Sequence, residues 1–382
     1  MSVGPGCATY RVRVVNRRTG STVWDLTELD ATGTFEHLER EVSGCEVVVP
    51  LERTEGVFCP PVHEPKMWAD ELVVERFGPC GEPDGGVRFI GPIRRVIRDT
   101  LAGTLTIQAE DRSVWWGRRG PTRTDLSADL VDETTLFAQL AEDSQLGDQK
   151  APPVLRPVLT GSLKRDVDLP AGSDFDLFDL EEFPNVRWAV VGPTLLGPGP
   201  STVPQDRGRS FAVLDTGRAW VDEGFVEDDD GQFVTDQVTV AGVDADDNRV
   251  VGVFPPDDLV SFDRGRGLHR APTVESETLT TVAELTEEAR RIFLRDRFGN
   301  QFLVTSDGSL SKDAPPVDEL LPGRLFDVRF GDVASQRRLQ KLVVEFGPGS
   351  DCDGERCLVE SRVAVDLQPA GSDRVSADRA SI

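Results

Sequence analysis

Lysine is scarce in this sequence, with five residues (Lys66, Lys150, Lys164, Lys312 and Lys341) among 382. Basic residues total 42 against 67 acidic ones, a net charge of −25. Affinity for nucleic acid comes chiefly from cationic contacts to phosphate, so a chain this acidic repels DNA rather than binding it. The acidity fits plain solubility charge, or a high-salt or GC-rich genome in which Arg and Asp displace Lys. Long apolar runs are also missing: none approaches the roughly 20 residues of a membrane span. The N-terminal MSVGPGCATYRVRVV lacks the basic-then-apolar layout of a signal peptide. The expectation is a soluble chain that is not exported by the usual route and inserts into no membrane.

Catalytic signatures are as sparse. The three histidines, His37, His63 and His269, show no metal-ligand spacing. GxSxG, HExxH, P-loop and GxGxxG patterns are absent. The six cysteines contain no CxxC, which removes support for a zinc ribbon. Cys352 and Cys357 flank DGER at an expected hairpin tip, where they form a local disulfide outside a reducing cytosol or remain two free thiols. Carboxylates are too numerous for any pair of them to be informative. Trp68, Trp188 and Trp220 stand singly and read as structural, as do the adjacent Trp115 and Trp116. Neither an enzyme nor a cofactor or metal requirement is expected.

What the chain does contain is short β-rich runs punctuated by turns. YRVRVVN, TVWDL, CEVVVPL and ELVVERF come first, then VRFIGPIRRVI and TLTIQAED, which read as a pair joined by RDTLAG. Residues 121–210 change character. DETTLFAQLAEDSQLG is a candidate helix that Asp132 would cap, with Leu136, Phe137 and Leu140 as its apolar stripe. Pro/Gly-rich loops surround it, and NVRWAVVG is a strand. Hairpins follow up to NRVVGVF. TLTTVAELTEEARRIFLRD is the strongest helix, with Val282, Leu285, Ala289, Ile292 and Phe293 at helical spacing and Thr278 or Thr280 as the cap. In ELLPGRLFDVRFGD, Phe326, Val328 and Phe330 share one strand face, while Asp327 and Arg329 share the other. Pro322-Gly323 in front of it fits a type II turn, Pro presetting φ and Gly taking the positive φ. RLQKLVVEF, with Leu342, Val344 and Phe346 on one side, and CLVESRVAVDL, with Val359, Val363, Val365 and Leu367 on one side, complete a three-stranded antiparallel meander.

Three of these features, in this order, resemble the tail hub family of tailed viruses: siphophage minor tail proteins similar in fold to the baseplate hubs of contractile phages. The first is VRFIGPIRRV…TLTIQAEDRSVWWGRR, a strand, GPI, and a second strand ending in A-x-D before an aromatic helix start. The second is NVRWAVVG with the hairpins ending in DQVTVAG. The third is the long helix followed by ELLPGRLFDVRF…LQKLVVEF. The fold expected is mainly β (α+β), with two antiparallel β-barrel domains and an α+β insertion. The divisions are 1–120 (N-terminal barrel), 121–245 (insertion with long Pro/Gly loops and β-hairpins), 246–370 (helix plus C-terminal barrel) and 371–382 (flexible tail).

The resemblance implies a structural hub at a viral tail tip, made in the host cytoplasm. It would be a homotrimer that joins a hexameric tail tube to a threefold tip and lets DNA pass during host entry. The implied partners are the distal tail or tail tube protein, the tape measure protein, and tail-tip fibre or receptor-binding proteins, with DNA only in transit. Two alternatives are a virion-surface adhesive or carbohydrate-binding β-protein and a tail-associated hydrolase.

Overall fold

In the computed structural model of the chain, the residues described are 8–27, 29–51, 53–54, 57–58, 65–78, 83–119, 126–132, 136–137, 140–141, 164–169, 186–200, 212–215, 219, 226–228, 236–244, 248–256, 273–276, 279–299, 303–305, 309–330, 333–350 and 356–369. The first strands are β1 Thr9–Asn16, β2 Thr22–Asp25, β3 Thr32–Leu38, β4 Gly44–Pro50, β5 Arg53–Thr54, β6 Val57–Phe58, β7 Asp70–Phe77, β8 Pro83–Asp99 and β9 Thr104–Glu110. Helix α1 (Val114–Arg119) is followed by β10 Leu126–Asp132, β11 Lys164–Leu169, β12 Val186–Val191, β13 Thr194–Pro200, β14 Ala212–Asp215 and β15 Val226–Asp228. Next come β16 Val238–Val243, β17 Arg249–Phe254, β18 Val274–Glu275, helix α2 (Val282–Gly299), β19 Leu303–Thr305, β20 Leu325–Phe330, β21 Val333–Ser350 and β22 Arg356–Pro369. The protein is mainly β and mostly antiparallel. Two short parallel pairings, β14 with β20 and β16 with β18, were not legible in the sequence.

The chain divides into two units, Met1–Phe225 with Ser306–Asp366 and Val226–Thr305 with Leu367–Ile382. In the first, strands pair in the order β21-β3-β4-β9-β8-β7-β1-β22, and β22 pairs with β21 again, so the pairings form a circuit. Sequence reading treats the two ends of the chain as separate barrel segments. The register joins them: Lys341–Phe346 of β21 lie along Gly33–Leu38 of β3, and Thr9 and Tyr10 of β1 lie opposite Val359 and Leu358 of β22.

Alternation places Tyr10, Val12 and Val14, Phe35, Val47 and Val49, Leu105 and Ile107, and Leu342, Val344 and Phe346 inside. Tyr10 stacks on Phe346 at 5.3 Å between ring centroids and meets Phe35 edge-on at 6.0 Å. The GPI sequence has a packing reason. A Cβ on Gly91 would lie 1.7 Å from the Glu110 carbonyl oxygen, so only glycine lets β8 approach β9 there. Ile93 then turns fully inward, and the register slips between Ile93 and Arg95. On β22 the buried parity changes: Leu358 and Glu360 are buried, then Val363, Val365 and Leu367, so Val359 is only half-buried, contrary to strict alternation.

A second layer of this unit is aromatic. Trp116 of α1 meets Trp188 of β12 at 5.2 Å and Phe137 at 5.9 Å. The β12–β13 hairpin is tied down by Arg40 N–H to Trp188 O (2.8 Å) and Gly192 N–H to Arg88 O (2.8 Å). Leu136, Phe137, Leu140 and Ala141 are helical and buried, as the apolar stripe predicts, whereas Asp132 closes strand β10.

In the second unit, α2 packs on β16 and β17 through Val238, Val240, Leu285, Ala289, Ile292 and Phe293. The sequence reading groups this helix with a C-terminal barrel; its packing partner in this unit is the β16–β17 hairpin. The hairpin is shaped for the helix: a Cβ on Gly252 would sit 2.2 Å from the Leu285 carbonyl carbon and the Thr286 nitrogen. The N-cap is Thr281, not Thr278 or Thr280. Its Oγ1 accepts the Glu284 N–H at 3.3 Å, and Glu284 Oε2 accepts the Thr281 N–H at 3.0 Å, a reciprocal capping box.

Candidate functional site

Among the described residues no group of three or more His, Cys, Asp or Glu side chains is placed to hold a metal ion. His37 is buried beside the Phe35 ring at 5.3 Å, and burial followed by the nearby Arg88 charge lowers its pKa to about 3. It is neutral at physiological pH. Cys45 of β4 is buried; burial, then Glu46 and Glu36, push its thiol up, which makes it an inert nucleophile. His63 and His269 lie outside the described residues, as do Cys7, Cys59, Cys80 and Cys352. The pairing of Cys352 with Cys357 therefore does too; Cys357 itself is half-buried in β22.

The polar chemistry that the fold does concentrate is structural. At the join of β1, β7 and β22, the Tyr10 hydroxyl donates to Glu360 Oε2, and Arg76 Nε donates to the same oxygen at 3.3 Å. The ion pair is wholly buried on both sides. Burial, then the Glu360 charge, raises the Tyr10 pKa well above its ordinary value, so the phenol keeps its proton and donates. Only two residue pairs define the β1–β22 register, and this trio locks it.

Asp111 ends the A-x-D sequence. It accepts the Ser43 N–H at 2.6 Å and the Ser113 N–H at 2.7 Å, and its own N–H donates to Ser43 O at 2.8 Å. One carboxylate thus caps α1 and fastens the β3–β4 loop. Burial raises its pKa to about 6, against the lowering effect of the Ser113 and Ser43 bonds.

The outward face of β21, β3, β4, β9 and β8 carries ion pairs, Lys341 with Glu36 (2.6 Å), Arg94 with Glu110, and Arg362 of β22 with Glu345 (2.9 Å), and a hydrogen bond from Gln108 to Glu46 (2.7 Å). An open depression of about 670 Å³ lies on this face, lined by Thr34, Glu36, Glu46, Arg95 and Gln108 among others. Exposed pairs of this kind are worth at most ~1 kcal/mol each.

Pro322 and Gly323 stand in a turn directly before strand β20. Arg324 N–H bonds to Leu321 O at 3.0 Å around Pro322 and Gly323, and Gly323 has φ +85°. Gly323 N–H and Arg324 O then bond to Leu339 of β21 at 2.7 and 2.9 Å. Phe326 and Val328 are fully buried, Arg329 is exposed, and Phe330 pairs with Val333 at the end of the strand. Sequence reading missed Arg76, Glu360 and Asp111. For Arg76 the signal was present: in ELVVERF it follows Leu72 and Val74 on one strand face.

No family model matches the chain, and no curated protein sequence matches it. Solved structures do. The chain is similar to the 43 kDa tail protein of prophage MuSo2 from Shewanella oneidensis, with TM-score 0.61, 10% identity and coverage of 96% of this chain and 100% of that one. A tail protein from Neisseria meningitidis MC58 gives TM-score 0.59 at 14% identity over 94% and 96% of the two chains. Prophage tail protein gp18 from Listeria monocytogenes EGD-e gives 0.55 at 12% over 96% of each. The chain shares its fold with these tail proteins.

Proposed function

We propose that the chain is a structural hub of a viral tail tip. The observation that carries this reading is a shared fold over nearly the whole of this chain and of the tail proteins it matches. In the proposed assembly three copies form a ring. That ring would meet a hexameric tube above and a threefold tip below, with the strand circuit built from both ends of the chain as the body of each copy. Its neighbours would be a tail tube or distal tail protein, the tape measure protein, and fibre or receptor-binding proteins. The role is architectural, not catalytic.

The charge of −25 suits such a ring. A cationic lumen would hold the genome by phosphate contacts, whereas an acidic one keeps it centred, with repulsion screened over about 8–10 Å. Electron microscopy of virion tails tests the assembly: three copies per ring are expected, and six identical copies or a stable dimer would overturn it. Replacing channel-facing Asp or Glu with Arg should slow DNA ejection, most at low salt. Normal ejection would separate the charge from DNA passage.

A further inference from the structure

One patch of the first unit stands apart from the acidic remainder of the chain. Lys66 to Asp70 form a tight turn: Asp70 N–H returns to Lys66 O at 2.9 Å, and Lys66 N–H donates to the Asp70 carboxylate at 2.9 Å. Trp68 in this turn has φ +63°, the left-handed region that a bulky side chain enters only under strain. Its N–H is held by Ile93 O at 2.9 Å. The strained turn pushes Met67 outward, leaving it 58% exposed. Trp68 meets Trp115 edge-on at 5.1 Å, and the Arg17 guanidinium lies over Trp115 at 4.2 Å. On the other side, Arg94 lies over Trp68 at 5.7 Å. The register slip after Ile93 leaves Arg94 and the next residue, Arg95, both exposed.

We propose that this patch docks a second copy of the chain; the proposal rests on the ring reading and names its subunit contact. Two observations choose this occupant. Exposed Met beside Trp and Arg is the composition of interface centres. The second is charge. Arg18, Lys66 and Arg95 are exposed and, among the described residues, have no ion-pair partner within the chain, although the chain holds 67 carboxylates. Copies of net charge −25 repel one another overall. Association therefore needs a place where unpaired cations meet the acidic surface of the neighbour. A patch that meets a different surface on the next copy is the heterologous contact from which closed rings are built.

Sedimentation velocity and mass photometry of the full chain test this. Two exposed-site variants are compared with the wild type: Met67→Asp, and the triple Arg18→Glu/Lys66→Glu/Arg95→Glu. Wild type should associate, and each variant should dissociate at about tenfold or higher concentration with an unchanged melting temperature. Salt should shrink the defect of the triple variant but not that of Met67→Asp. A wild-type trimer that both variants form equally well overturns the patch and leaves the ring intact. A wild-type dimer broken by the variants supports the patch and overturns the threefold ring. A wild type that stays monomeric at every concentration overturns the patch as a self-contact, and tail images then judge the ring by themselves.

Discussion

Replacing Glu360 by Ala tests the join between the two ends of the chain. The substitution leaves Arg76 as a buried charge and removes the acceptor of the Tyr10 hydroxyl. Breaking one side of a buried ion pair costs about 3–5 kcal/mol. An orphaned buried hydroxyl costs about 1–3 kcal/mol, part of which is the same desolvation counted twice. A loss of about 4 kcal/mol is therefore expected, a large share of the 5–15 kcal/mol typical of a domain. Tyr10→Phe removes only the hydroxyl and should cost about 1 kcal/mol. Exchanging both charges for apolar groups, Arg76→Met with Glu360→Leu, should recover most of the loss, because the expense lies in the unpaired charge rather than in the absent pair. Urea unfolding is the assay. Tyr10 is the only tyrosine in the sequence, so selective tyrosine labelling gives a single resonance that follows this join alone. A cost below about 1 kcal/mol for Glu360→Ala, or a double replacement worse than the single one, would refute the assignment of a locked join.

Gly252→Ala should weaken or abolish docking of α2, because the new Cβ meets helix backbone at 2.2 Å; a loss of about 1–3 kcal/mol in the second unit is expected, read as reduced hydrogen-exchange protection of Val238–Val243. Asp111 binds its proton more tightly folded (pKa about 6) than at the ordinary value of 3.8, so its contribution to stability is full below pH 3.8 and is lost as pH rises through 6. The stability difference between wild type and Asp111→Asn should fall by up to about 3 kcal/mol across that window and be flat above it; a flat profile throughout would contradict the buried placement. Gly323→Ala, at φ +85°, should cost about 1–2 kcal/mol by thermal unfolding without altering the β20–β21 register.

Period-two alternation made β1, β4, β9, β20 and β21 legible, and helical spacing did the same for α2. These patterns report which face a residue shows, and burial agrees at Phe326, Val328, Leu342, Val344 and Phe346. What alternation does not carry is the identity of the neighbouring strand. That β21 lies on β3, and that α2 lies on β16 and β17, depends on contacts hundreds or tens of residues away and on the missing Cβ of Gly252. The candidate site was half legible. The turn at Pro322-Gly323 follows from local chemistry. The Tyr10–Arg76–Glu360 trio joins residues 350 apart in sequence, and no local signal assembles it. Thr281 was passed over as the helix cap although Glu284 stands three residues on, the spacing a capping box requires.

The pairing of β1 with β22 also sets an order of events during synthesis. Thr9 emerges from the ribosome some 350 residues before its partner Val359, and β3 waits nearly as long for β21. Until then the nascent chain presents two unsatisfied strand edges, the arrangement most prone to pairing with the wrong molecule. Contacts of such long sequence separation also fold slowly. Protection of those edges, by a chaperone or by the strong negative charge of the chain, is thus a requirement of production rather than of the finished protein. Chains cut short before residue 356 would keep the β1 edge open, and chains cut before residue 333 would keep both open.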